Sequence, residues 1–448
     1  MKGFSKNKNS NLNSKATRIA VVSVAIAVLI GAVTTVLAEK QDELSYQDSE
    51  YSAEQDILYN PEYNSEDDNY AAPDDDEAGE DEVLDEEEED DLYLFPGLSN
   101  VNSVISDIIF EDVAVEFGEV VRIVKGGNVT GTIFVSAGGE VHLEDGGTIN
   151  GTVILNGFGA LLEMNGGVIT GQGRGVQVES GASFNQHGGT ISGNMADNGG
   201  GVLVSGLGSV FTMNNGTIAN NAAIGTVGSA GGGIKVANGA TFNMHSGVIE
   251  RNMAQSGGGV ALTFGSTFNM SGGQLSNNDS IGLGAGVRVS SSTFVMSGGE
   301  ISHNAGNGVH LNDNNPTFKM TGGTIASNVG RGVAAATIGS SMTMAGGTIV
   351  NNNDGGVHVA GTFNMSGNAI IDNNRAATGA GVSLVGENAR FNMSGGAISN
   401  NIATSNGGGI SVPSGIFNMS GGVVQNNIAS NGDNIFVPES NYNNVNIN

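Results

Sequence analysis

Acid–base chemistry needs carboxylates that converge, and in this 448-residue chain they stand apart once its repeats begin. From residue 121 onward only Glu144 and Asp145 are adjacent, and neighbours on an extended strand point to opposite faces. The chain has no Cys, which removes a thiol nucleophile, thiolate metal sites and disulfides. A column of Met (Met213, Met244, Met270, Met296, Met320, Met365, Met393, Met419) has the softness to hold a metal, but it alternates strictly with Phe and reads as core filler. No metal and no cofactor is called for. Asn269, Asn364, Asn392 and Asn418 open glycosylation-type Asn-Met-Ser steps that recur because the repeat recurs, so they read as incidental. A more informative column is the middle of each Val-x-Val step, which runs Gln177, Leu203, Lys235, Ala261, Arg288, His310, Ala334, His358, Ser383, Ser411. Lys235, Arg288, His310 and His358 fall within six successive units there and are the candidate contacts for an anionic ligand. His310 and His358 are two units apart, about 10 Å by strand spacing, too far to share one metal ion.

The element that must carry this column is a repeat, F-x-M-x-G-G-x-I-x-x-N, then a loop, then G-G-V-x-V. Its first position falls at Leu162, Phe184, Phe211, Phe242, Phe268, Phe294, Phe318, Met342, Phe363, Phe391 and Phe417. Asn closes ten successive units, at Asn194, Asn221, Asn252, Asn278, Asn304, Asn328, Asn352, Asn373, Asn401 and Asn427. The period inside each unit is two, and Gly-Gly breaks the chain between short runs. Each unit therefore reads as three short strands with two or three corners. Stacking buries what no single unit can. The expected fold is all-β, a parallel β-helix (solenoid) of about 13 coils and roughly 60 Å by strand spacing. The Asn column is expected to form a ladder at one corner. The Phe residues are expected in the core, leaving no aromatic platform for a sugar.

Two segments precede the array. Residues 1–38 carry five bases and no acid, and Ile19–Ala38 is an apolar run suited to a cleaved signal peptide or an uncleaved membrane anchor. Residues 39–95 carry 25 acids and the single base Lys40, which reads as a disordered, self-extending spacer. The organisation is thus leader 1–38, spacer 39–95, cap 96–120, repeat domain 121–437 and polar tail 438–448. Val101–Glu119 is expected to cover the first coil, whereas the tail leaves the last coil open to end-to-end self-association. A net charge of −29 excludes a nucleic-acid partner.

The array resembles the right-handed parallel β-helix superfamily, the pectate-lyase-like fold. Its G-G-x-I and G-G-G-V steps also resemble the repeats of polymorphic outer-membrane and adhesin-like surface proteins. That resemblance implies an exported, extracellular or cell-surface rod, adhesin-like or structural, with an extracellular polysaccharide or a host or neighbouring-cell surface protein as partner. Its alternative implication is a polysaccharide lyase or glycoside hydrolase. The scattered acids point away from catalysis. The Phe-to-Asn count is 10 in every unit from Phe184 on, while Asn to the next Val-x-Val swings between 5 and 13, with Ala222–Gly233 the longest loop and Ile224 and Val227 exposed on it. Variable loops are where binding concentrates. The shortest follow Phe294, Phe318 and Met342, which places a low ligand groove along residues 287–360 beside Arg288, His310 and His358.

Overall fold

A computed structural model describes residues 102–225 and 228–447. The leader, the acidic spacer, the first residues of the expected cap and Val227 lie outside the described residues. No helix among the described residues is long and apolar enough to cross a membrane.

Each repeat folds as three short strands, and each strand pairs in parallel with its counterpart one repeat away. Phe211, Phe242 and Phe268 are direct cross-strand partners, and Ile218, Ile249 and Leu275 align the same way. The Val-x-Val strands, from Val113–Val115 to Ile435–Phe436, form one parallel sheet of 14 strands, called here the Val sheet. Coils are numbered below by their strand in it. The result is the all-β parallel solenoid that the period of two requires.

The interior is a set of columns. Rings of Phe184, Phe211, Phe242, Phe268, Phe294 and Phe318 stack at 4.5–4.9 Å between centroids. Met342 interrupts the stack, which resumes through Phe363, Phe391 and Phe417. Strand pairing imposes this spacing, and offset stacking at that distance is favourable in itself. The neighbouring Met column is buried in the same core. Its repeat explains the Gly-Gly pair. At Gly273, φ is +82°, and a Cβ there would lie 2.4 Å from the Met244 methyl of the preceding coil. The backbone needs the left-handed region and the methyl needs the vacant space, so only Gly serves.

The Asn ladder forms, buried throughout, with one correction. Asn278 Nδ2 donates to Asn304 Oδ1 (3.1 Å) and to Ile249 O (2.9 Å), and its backbone N–H donates to the same Asn304 oxygen (3.0 Å). This pattern recurs from Asn194 to Asn427. In the unit beginning at Phe363, however, the rung is Asn374 and not Asn373. One extra residue in the Gly367–Ala369 turn shifts the inward residue from Ile370 to Ile371, which pairs with Ile349. Asn373 instead takes φ +57° at the bend before the rung. The Phe-to-Asn side does accept an insertion. Asn434 closes the ladder at one end by accepting from Asn427. At the other end Asn194 Oδ1 is buried with no donor.

Both ends differ from expectation. Residues 102–115 are no separate cap. They form a coil whose three strands pair in register with the next. Ile105, Val113 and Val115 point inward, while Ile108, Phe110 and Phe117 are exposed. The tail is not a bare extension. Glu439–Asn444 forms a 3₁₀ turn, Asn441 donates to Val412 O and Gly415 O, and Val445–Ile447 adds a strand beside Phe417–Met419.

Candidate functional site

The candidate residues share the outer face of the Val sheet. Lys235 is in coil 6, Arg288 in coil 8, His310 in coil 9 and His358 in coil 11, with Arg288 paired directly to His310. Loop backbone lies across part of this face. A Cβ on Gly257 would meet the Ala261 methyl at 2.7 Å, and one on Gly284 the His310 Cβ at 3.0 Å. His310 is only 7% exposed as a result, and Ala261 and Ala334 are buried. The continuous groove expected along residues 287–360 is therefore interrupted at His310 and Ala334. Short loops lower the rim, but they also lay their glycines on the sheet.

Two shallow troughs open on either side of the interruption. One, of about 460 Å³, is lined by Lys235, Arg288, Ser290, Ser291, Asp313 and the rim residue Phe264. The other, of about 310 Å³, is lined by Arg331, Asp354 and His358. Arg288 and His358 thus belong to different troughs and His310 to neither.

The charges differ from a count of basic residues. Burial, then Arg288, Arg331 and His358 in turn, push the His310 pKa down to about 4 against a weaker pull from Asp313. Its Nδ1 lies 3.0 Å from the Asn307 amide nitrogen, which fits an imidazole accepting at that atom. His358 is also pushed down to about 4, by burial and then Arg331, and its Nδ1 is buried without a partner. Both rings are neutral at neutral pH, so the cations of this face are Lys235, Arg288 and two residues the repeat had not singled out, Arg174 and Arg331.

These cations are held differently. Arg288 donates to Asp313 (3.0 Å), Asn312 (3.1 Å) and Ser256 (3.2 Å). Arg331 pairs with Asp354 at 3.4 Å. Arg174 donates to Gln177 Oε1 and to the Asn198 carbonyl. Lys235 Nζ donates to Asn198 Oδ1 at 2.9 Å, and among the described residues no carboxylate forms an ion pair with it. Burial, then Arg288 and Arg174, lower its pKa. An anion in this trough would relieve that repulsion. Arg174 and Arg331 stand two residues before their Val-x-Val steps, and an R-G-V signal marks both in the sequence.

Elsewhere the acids make separate contacts. Glu144 holds Arg122 (2.9 Å) and Asn165 (3.1 Å), and Glu163 holds Asn185 and His187. Among the described residues no three His, Asp or Glu side chains gather as a metal site. The Asn-Met-Ser asparagines, read as incidental, make an outward amide row. Asn269 donates to Asn243, Asn392 to Asn364 and Asn418 to Asn392.

Residues 168–349 match the family description "right handed beta helix region". No curated protein and no solved structure matches the chain significantly.

Proposed function

This chain is a right-handed parallel β-helix repeat protein, and we propose that it is an exported, non-catalytic surface rod that binds acidic polysaccharide. The leader 1–38 and the acidic spacer 39–95 support export and display. The observation that carries the binding reading is Lys235, a half-buried cation without a carboxylate, sharing a polar trough with Arg288. A uronic-acid carboxylate fits the point charge of Lys235, which no carboxylate holds, with Arg288, paired to Asp313, adding positive potential beside it, and Ser290 and Asp313 line the same trough as polar partners for sugar hydroxyls.

Titration calorimetry of the full chain with polygalacturonate, and with dextran as the neutral control, tests this. Binding to polygalacturonate should weaken as salt rises. Lys235→Ser with Arg288→Ser should weaken it at least 10-fold, while His358→Ser, which removes a neutral ring, should change it less than twofold at pH 7. Equal binding of both polymers, or no loss in the double variant, overturns the reading.

A further inference from the structure

Not all Phe residues are in the core. At the turn that follows each Val-x-Val strand, five large apolar side chains stand almost bare: Phe117 (84% exposed), Phe158 (87%), Leu207 (83%) and Phe264 (71%) in coils 1, 3, 5 and 7, and Ile338 (69%) apart from them in coil 10. The first four alternate. The coils between carry Ala137, Ser180, Asn238 and Ser291 at the same turn. The side chains of Phe117, Phe158 and Leu207 lie on Gly138, Gly181 and Gly239 of the next coil, which fixes their tilt. Phe264 takes φ +54°, a conformation that costs a non-glycine residue about 1–2 kcal/mol and here holds the ring outward. The corner is a row of apolar knobs about 10 Å apart, separated by small or polar gaps.

We propose that this corner docks a second copy of the same chain, antiparallel. Laying coil 1 of one rod against coil 8 of the other puts Phe117 at Ser291, Phe158 at Asn238, Leu207 at Ser180 and Phe264 at Ala137. All eight knobs then meet gaps, and one two-fold axis between coils 4 and 5 relates the copies, as a closed dimer requires. A slide of one coil either way sets knob on knob. At roughly 150 Å² for each such side chain, the eight bury about 1,200 Å², the lower bound of a stable specific interface. The inference does not rest on the polysaccharide reading.

Sedimentation of the full chain in mild detergent should give a dimer at micromolar concentration. Phe117→Ser, Phe158→Ser and Leu207→Ser together, which leave the Lys235 trough untouched, should raise the dissociation constant at least 10-fold. The chain lacks Cys, so single cysteines report the register. Ser180→Cys should cross-link on oxidation, its two copies standing one coil apart along the rods. Ala137→Cys, five coils or about 24 Å from its mate, should not. A monomeric wild type, a triple variant that dimerises undiminished, or equal cross-linking of the two cysteine variants overturns the proposal.

Discussion

Replacing Asn304 by Ala should lower stability by about 4 kcal/mol, far more than a surface amide is worth. Asn304 Oδ1 accepts from the backbone N–H and from Nδ2 of Asn278, while its own Nδ2 donates to Leu275 O (3.2 Å) and Asn328 Oδ1 (2.9 Å). The Ala variant removes four hydrogen bonds where water does not reach: the Asn278 backbone N–H loses its acceptor, Leu275 O loses the side-chain amide, and Asn278 Nδ2 and Asn328 Oδ1 are each left with one partner of two, at about 1–3 kcal/mol for a buried group left unpaired. Some of that cost is recovered by local shifts, hence the middle value. Asn243→Ala is the matched control. Asn243 accepts a similar amide bond from Asn269 at 2.9 Å, but it is half-buried, so water replaces the lost partner and the cost should stay below about 1 kcal/mol. Urea denaturation of the two variants beside wild type checks this. Equal losses would mean that the buried column contributes no more than the exposed one.

The ladder and the Phe stack were legible because the same residue types recur at the same offsets, and a strand period of two sorts them inward or outward. Counting failed where geometry departs from count. In the unit at Phe363 two Ile and two Asn stand side by side, and the count of 10 selects Asn373 although Asn374, at 11, is the rung. Only the neighbouring coil decides, by pairing Ile349 with Ile371. The outer column of the Val sheet is legible as a face, but its openness is not, since Ala261, His310 and Ala334 are covered. Whether a residue there meets solvent depends on loop backbone arriving from elsewhere in the coil, as Gly284 does over His310. The exposed corner carried a signal that the core pattern obscured. Phe117, Phe158, Leu207 and Phe264 each precede a Gly just after a Val-x-Val strand. They lie outside the F-x-M step, and Phe was assigned to the core by residue type rather than by position. Lys235 and Arg288 stood out because cations are scarce in this chain. That Lys235 lacks a carboxylate while Arg288 and Arg331 have one follows from which loop residues fold back, and no spacing encodes it.

The second large effect is a pH dependence seated at His310. Its pKa is about 4 in the fold and about 6.5 in the unfolded chain. Between those values the unfolded state binds the proton and the folded state does not, so stability falls as pH falls through this window. The contribution is complete above about pH 6.5 and lost near pH 4, with a full size of about 3 kcal/mol at 1.36 kcal/mol per unit. His358 acts in the same direction but is half-exposed, and solvent screening makes its share smaller. Protonating His310 would place a charge beside the guanidinium of Arg288, on a strand paired directly to its own, with Asp313, among the described residues, the one acid that opposes the effect. His310→Gln removes the titration and keeps a side chain able to accept from Asn307. Urea midpoints for the two proteins should run parallel from pH 8 to 6.5 and separate below it, the wild type losing more by about 2–3 kcal/mol at pH 4.5. A proton-NMR titration of the His310 ring should show no change of state down to pH 5. Parallel midpoints across the whole range, or a ring that titrates near 6.5, would mean that His310 is solvated and that the loop carrying Gly284 does not rest on the Val sheet.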